Sequence, residues 1–443
     1  MKKFTVILIA IVFSVITAFG FTACDSDEIV SNVSDIAAMQ ATIDELQAEL
    51  NKKNSDLEAM EDLLSKLESL QGEFEKGYDE LKGQLSQLQD KVTALKSGTL
   101  VADISYEKVK YIDANLSDRD CYHGENFKDT QKWIKDLSHA AGYGEDEITT
   151  QDVTISSYVS KDADLDEKYS AVKSYTTDGK YYTRNGRNYV EDAEGTYVKV
   201  SVVTENIIVT KPGKSDKQII VGAHYDGDGT GDNGSGIALA LTTAENLVHV
   251  ETPYTIKFIF FTAEEYGCYG STAYANAMTD EEIENTLYMI NLDSLVCGDF
   301  CYIYGGVQNN DEKVVTQTEA YDNAMGIAQS LGLDMHSNPW TWDNPEPTSK
   351  TGVPKYASPS TGDWSDHKGC KNRGIKYLYM EATNWEIPDY TGYGETVLVG
   401  MLMNTENDYL EYIEHYFPGR IQEHLFQFST LLNALLDQPE VKF

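Results

Sequence analysis

Four short stretches of this chain gather acidic or imidazole side chains, three of them where an apolar run stops and one where a helix opens. Gln218 to Ala223 leads into His224-Tyr225-Asp226, and eight residues after the His comes Asp232-Asn233-Gly234-Ser235-Gly236. Thr255 to Thr262 ends in Ala263-Glu264-Glu265-Tyr266-Gly267, and Leu287 to Leu292 ends in Asp293-Ser294. Each is weak alone, since an H-x-D is often a structural pair and Glu-Glu is often a solvated turn. Together they bring one imidazole and several carboxylates to one edge of a sheet. Carboxylates that close repel unless a cation sits among them. Imidazole with carboxylate is a ligand set for zinc or a similar divalent ion.

The elements that must position these groups are strands alternating with helices. Strands are expected at about Asp152 to Tyr158, Tyr197 to Val209, Gln218 to Ala223, Thr255 to Thr262, Leu287 to Leu292, Cys301 to Tyr304 and Ile375 to Met380. Helical periodicity covers Phe127 to Ala141, Ile237 to Val248, about Val314 to Leu331, and Gly419 to Leu436. That alternation predicts an α/β fold from about residue 101, with a mostly parallel or mixed central sheet flanked by helices. Sites in such sheets gather at the carboxyl ends of the strands, where three of the four stretches lie. Asn185-Gly186, between Tyr181-Tyr182 and Tyr189-Val190, reads as a hairpin turn inside a tyrosine-rich insertion near 158–197.

With these residues in view, the chain from about residue 104 resembles the zinc-dependent exopeptidase family of the secreted bacterial leucyl aminopeptidases, with glutamate carboxypeptidase and glutaminyl cyclase as relatives. His224-x-Asp226, Asp232-Asn233-x-Ser235-Gly236, Glu264-Glu265-x-Gly267 and Asn291-Leu292-Asp293, in that order, carry the resemblance. It implies that Asp232 bridges two zinc ions, with His224 and Asp293 on one and Glu265 on the other. It also implies that Asp226 orients the His224 ring and that Glu264 is the general base, acting on the attacking water. The function implied is hydrolysis of the N-terminal residue of peptides. Carboxypeptidase or glutaminyl cyclase chemistry, or a catalytically impaired scaffold, are the alternatives. One departure stands out. The family pattern closes with a His ligand for the second zinc, and the matching segment here is Asn404-Thr405-Glu406-Asn407-Asp408. One zinc ion, or a weakened second site, is the expectation. His367, in Ser365-Asp366-His367, is an alternative ligand, with a structural or substrate-side role as the other reading.

The first residues carry a different signal. Met1-Lys2-Lys3, an apolar run from Phe4 and then Thr22-Ala23-Cys24 have the order of a secretory signal peptide over 1–23. The last three residues resemble a bacterial lipobox, with Cys24 as the lipidated residue; an uncleaved anchor is the alternative. Either reading predicts an extracytoplasmic, membrane-anchored protein, a lipoprotein in the first case. From Ile36 to Leu95, apolar residues fill sixteen of eighteen slots spaced alternately by three and four, interrupted only at Lys53 and Gln71. This 3.5-residue period predicts a coiled-coil stalk over about 25–100 that can form a homo-oligomer. A helical pair folded back on itself is the other option. The five cysteines after Cys24 form no metal-site spacing, and Cys297 and Cys301 are near enough to bridge or to remain buried thiols. With 35 Lys+Arg against 72 Asp+Glu, the formal net charge is −37, which argues against nucleic acid as a partner.

Overall fold

The computed structural model describes residues 32–122, 124–160, 174–176, 181–184, 187–191, 197–387 and 390–441. The signal-peptide and Cys24 expectations and the Asn185-Gly186 turn lie outside them. By contacts the chain divides into Met1–Gln87 and Leu88–Phe443.

Helix α1 (Asn32–Asn115) runs without a break, so no hairpin folds it back. Up to Gln87 most of its described heptad residues are exposed, as for Ile43, Met60, Leu64, Leu67, Phe74 and Leu81, and it carries the internal ion pair Lys66–Asp62 at 2.7 Å. No described helix is long and apolar enough to cross a membrane.

Within Leu88–Phe443, α1 continues past Gly98, where the sequence pattern suggests a stop. Gly98 marks a close approach: a Cβ there would lie 1.9 Å from Thr430 Oγ1, and Ser429 Oγ donates to the Gly98 carbonyl at 2.8 Å. Val101, Val109 and Ile112 are then buried in the core. Gly98→Ala is expected to destabilise the domain by about 1–3 kcal/mol through overpacking, measured as a lower urea midpoint; an unchanged midpoint contradicts it.

The remaining elements follow in order: α2 (Phe127–Ala141), β1 (Ile148–Ser160), β2 (Ser174–Thr176), β3 (Tyr181–Arg184), β4 (Arg187–Glu191), β5 (Tyr197–Lys211), β6 (Ser215–His224), α3 (Gly234–Leu247) and β7 (Tyr254–Phe261). Then come α4 (Tyr269–Ala277), α5 (Asp280–Asn285), β8 (Thr286–Leu292), β9 (Phe300–Tyr304), β10 (Val307–Asn309), β11 (Val314–Thr316), α6 (Glu319–Leu331), β12 (Met335–His336), α7 (His367–Asn372), β13 (Tyr377–Thr383), α8 (Leu410–Tyr416) and α9 (Arg420–Leu436). The main sheet has the order β12-β9-β13-β8-β6-β7-β5-β4-β3, with β1 and β2 also paired to β5. Its centre, β13-β8-β6-β7, is parallel, while β5 and the strands beyond it, and β9 against β13, are antiparallel. The fold is the expected mixed α/β one.

Parallel strands covered on both faces read as nearly continuous apolar runs, and these do. Ile219, Val221, Phe258, Phe260, Ile290, Leu292, Leu378 and Met380 are all fully buried. The expected helix at Val314 begins only at Glu319. Val314 and Val315 are β-branched and pair instead in the β10-β11 hairpin. All five described cysteines are buried free thiols, so Cys297 and Cys301 form no bridge.

Candidate metal centre

The carboxyl ends of β6, β7 and β8 meet over the first turn of α3. His224 closes β6 with its ring buried, Nε2 lying 3.2 Å from Asp232 Oδ1 and 3.3 Å from Asp293 Oδ1. One donor atom each from His224, Asp232 and Asp293 lies within 4.8 Å of the others, and this is the one such group among the described residues. His224 Nδ1 faces the backbone carbonyl of Asp226 at 3.2 Å. With the proton on Nδ1, the Nε2 lone pair is free for a cation.

Asp226 lies beside the ring as expected, but its carboxylate has a different principal contact. Its Oδ1 is 3.8 Å from Nδ1, whereas its two oxygens accept the backbone N–H groups of Glu264 and Glu265 at 3.1 and 3.3 Å. A buried carboxylate takes the nearest strong donors, and the turn after β7 supplies two adjacent ones. Asp226 therefore ties the β7 turn to the end of β6, and its carbonyl rather than its carboxylate meets the ring. Burial raises the Asp226 carboxyl to about 6, against the lowering pull of His224.

The other groups are held as closely. Asp293 Oδ2 accepts from Ser365 Oγ at 2.5 Å and Oδ1 from Ser294 Oγ at 3.1 Å. Asp232 precedes α3, whose cap Asn233 accepts from Gly236 N at 3.0 Å and donates to the Leu292 carbonyl at 2.9 Å. A Cβ on Gly236 would fall 2.3 Å from that cap oxygen, which accounts for the Gly. The backbone N–H groups of Gly231 and Asp232 donate to Asp408 at 2.7 and 2.9 Å. Arg119, fully buried just beyond α1, donates to the Gly229 carbonyl at 2.7 Å and lies in the field of Asp408, Asp228, Asp232 and Asp226. Arg119 did not stand out as a site residue in the sequence; Ser365 stood only inside the Ser365-Asp366-His367 segment and Asp408 only inside the Asn404 segment, neither with a role of its own. Left-handed backbone at non-glycine residues gathers here too, at Ala263, Cys268, Ser294 and Asn404.

Glu264 is buried, and the next residue, Glu265, lines a cavity of about 480 Å³ together with Asp232 and Asn404. Burial pushes the Glu264 carboxyl well above its usual range, His224 pulls it down, and Asp366, Asp293 and Asp232 add to the rise. Desolvation in the cleft and then Asp232 push Glu265 up to about 9. Asp366 is fully buried, and burial raises it to about 7 against the lowering pull of His224.

So many buried acids around one imidazole suit a cation, and the His224, Asp232 and Asp293 donors fit zinc. The second position does not fit in the same way. Asn404 turns its amide nitrogen to Asp232, donating to Oδ2 at 3.2 Å. A donor N–H there opposes a metal ion on the same oxygen. His367 offers no replacement. Its ring stacks on Tyr377 and Tyr379, and Nε2 lies 3.0 Å from the Gly362 carbonyl.

The α/β sheet thus presents a buried His-and-carboxylate group that could hold a metal ion at its strand ends. Residues 206–396 match the model of Peptidase family M28. The chain is 29% identical over 262 residues to the alkaline phosphatase isozyme conversion protein of Escherichia coli (strain K12), covering 54% of this chain and 72% of that one. It is 37% identical over 109 residues to leucine aminopeptidase 2 of Trichophyton rubrum, which is 23% of this chain and only 22% of the fungal protein. Among solved structures it is similar to a zinc aminopeptidase from Bacillus subtilis, with 16% identity, a TM-score of 0.48, and coverage of 77% of this chain and 96% of that one.

Proposed function

We propose that this protein is an extracytoplasmic, lipid-anchored aminopeptidase that works with one zinc ion and uses Glu264 as its general base. The observation that carries the reading is the buried group of His224, Asp232 and Asp293 donors within 4.8 Å, with Glu264 on the adjoining turn. Those three residues would hold the zinc, which when bound supplies Lewis acidity to the scissile carbonyl and to a water. Glu264 takes the proton of the attacking water at its carboxylate and passes it to the departing amine. Asp226 holds the Glu264-Glu265 backbone in place, and Asp408 does the same for Asp232.

The adjoining cavity supports an aminopeptidase over a carboxypeptidase. Asp120, Asp228, Asp232, Glu265, Glu406 and Asp408 line it, with no Lys or Arg among the lining residues. Such a field suits the free ammonium of a peptide N-terminus and disfavours a C-terminal carboxylate. The lipobox-like Thr22-Ala23-Cys24 supports the anchor, and the heptads from Ile36 support a stalk that pairs copies of the chain.

Metal counting tests the single ion. The unaltered protein is expected to hold one zinc per chain after extensive dialysis, and Asn404→His is expected to hold two. Two tightly held ions in the unaltered protein would refute the one-zinc reading.

A further inference from the structure

Glu264 would need a fixed carboxylate to act as a base, and the structure gives that carboxylate one hydrogen-bond donor among the described residues. It is the thiol of Cys268, whose Sγ lies 3.4 Å from Glu264 Oε1. The two residues are tied a second time, because the Cys268 N–H donates to the Glu264 carbonyl at 2.8 Å. Cys268 is only 2% exposed and takes a left-handed backbone, with φ +60° and ψ 41°, at the N-cap of α4. A side chain in that conformation is strained, and here it is directed back onto the residue four positions earlier.

The chemistry of the donor fits the task. A thiol is a weak donor, so it can fix a carboxylate without the stabilisation that a charged or amide donor would add. Glu264 has the carboxyls of Asp366, Asp293 and Asp232 around it. An unrestrained carboxylate would turn away from them. We propose that Cys268 is a positioning residue for Glu264, its thiol holding the carboxylate in the rotamer that faces the attacking water. This rests on Glu264 being the base.

Steady-state kinetics of C268A and C268S in the full chain test it. C268A is expected to lose about tenfold or more in kcat, with KM within about twofold and zinc content unchanged, and C268S, which restores a donor, to recover most of the loss. Wild-type kcat in C268A overturns the proposal, as does a loss confined to KM or to zinc content, or a C268S as impaired as C268A. The infrared S–H stretch gives a readout independent of turnover. The band that disappears in C268A is expected at a lowered, hydrogen-bonded frequency and to shift upward in E264Q; a band that E264Q leaves in place overturns the contact. An active E264Q removes the base reading itself. An inactive E264Q beside an unimpaired C268A removes only the role of Cys268.

Discussion

Replacing Glu264 by Gln is expected to lower kcat by about 10²–10⁴-fold while the zinc content of the protein stays the same. Gln keeps the shape of the side chain, but its amide oxygen cannot take up a proton at working pH. Zinc should be retained because Glu264 is not among the three residues whose donor atoms converge. Folding should not suffer, since the substitution removes a buried acid that burial, Asp366, Asp293 and Asp232 all make harder to ionise. A base is most effective when its pKa lies near the working pH, and a cation at the centre would offset the rise these groups cause. The measurement is single-turnover hydrolysis of an aminoacyl substrate alongside metal analysis. Substantial residual activity would sink the mechanism, and lost zinc would make Glu264 a ligand.

The residues proposed to face a cation were legible in the sequence because of how they are presented. A parallel strand buried on both faces is an unbroken apolar run, so its carboxyl end is where that run stops, and His224, the Glu264-Glu265 pair and Asp293 each follow such a stop. The residues that hold them carry no such mark. Arg119 reaches Gly229 across 110 positions, and Asp408 reaches the Gly231 and Asp232 amides across 177 and 176. Neither contact leaves a local period to read. Asp226 shows a subtler gap. The H-x-D spacing placed it beside His224, but which donors its carboxylate takes depends on where the turn after β7 falls, which only the folded sheet fixes. Gly98 was ambiguous for a third reason: glycine marks both a helix stop and a close helix crossing, and Thr430, the residue that decides between them, lies on α9.

Stripped of metal, the protein should lose stability as pH rises from about 5 to 9, its melting temperature falling by of order 10 °C, and zinc should abolish most of that fall. The sign follows from the buried acids. Burial raises Asp226 to about 6, with His224 opposing; it raises Asp366 and Asp408 to about 7 and, with Asp232, Glu265 to about 9. Each lies above its ordinary carboxylate value, so across this window the folded state holds protons that the unfolded chain has already released. The stability these groups contribute is therefore fully present only below their ordinary carboxylate values and is lost as pH climbs through their folded values. His224 acts in the same direction: burial disfavours its charge, but Asp293 and Asp232 raise it well above the usual imidazole range. Asp293 runs the other way, lowered by His224 against the effect of burial, but its contribution is complete below the window. Zinc reverses the balance, because the carboxylates around it then ionise next to a cation instead of next to one another. Thermal unfolding of chelated and zinc-loaded protein over the same pH range makes the comparison. A metal-free melting temperature that holds level or rises with pH would show that these carboxyls are not the buried acids the site requires.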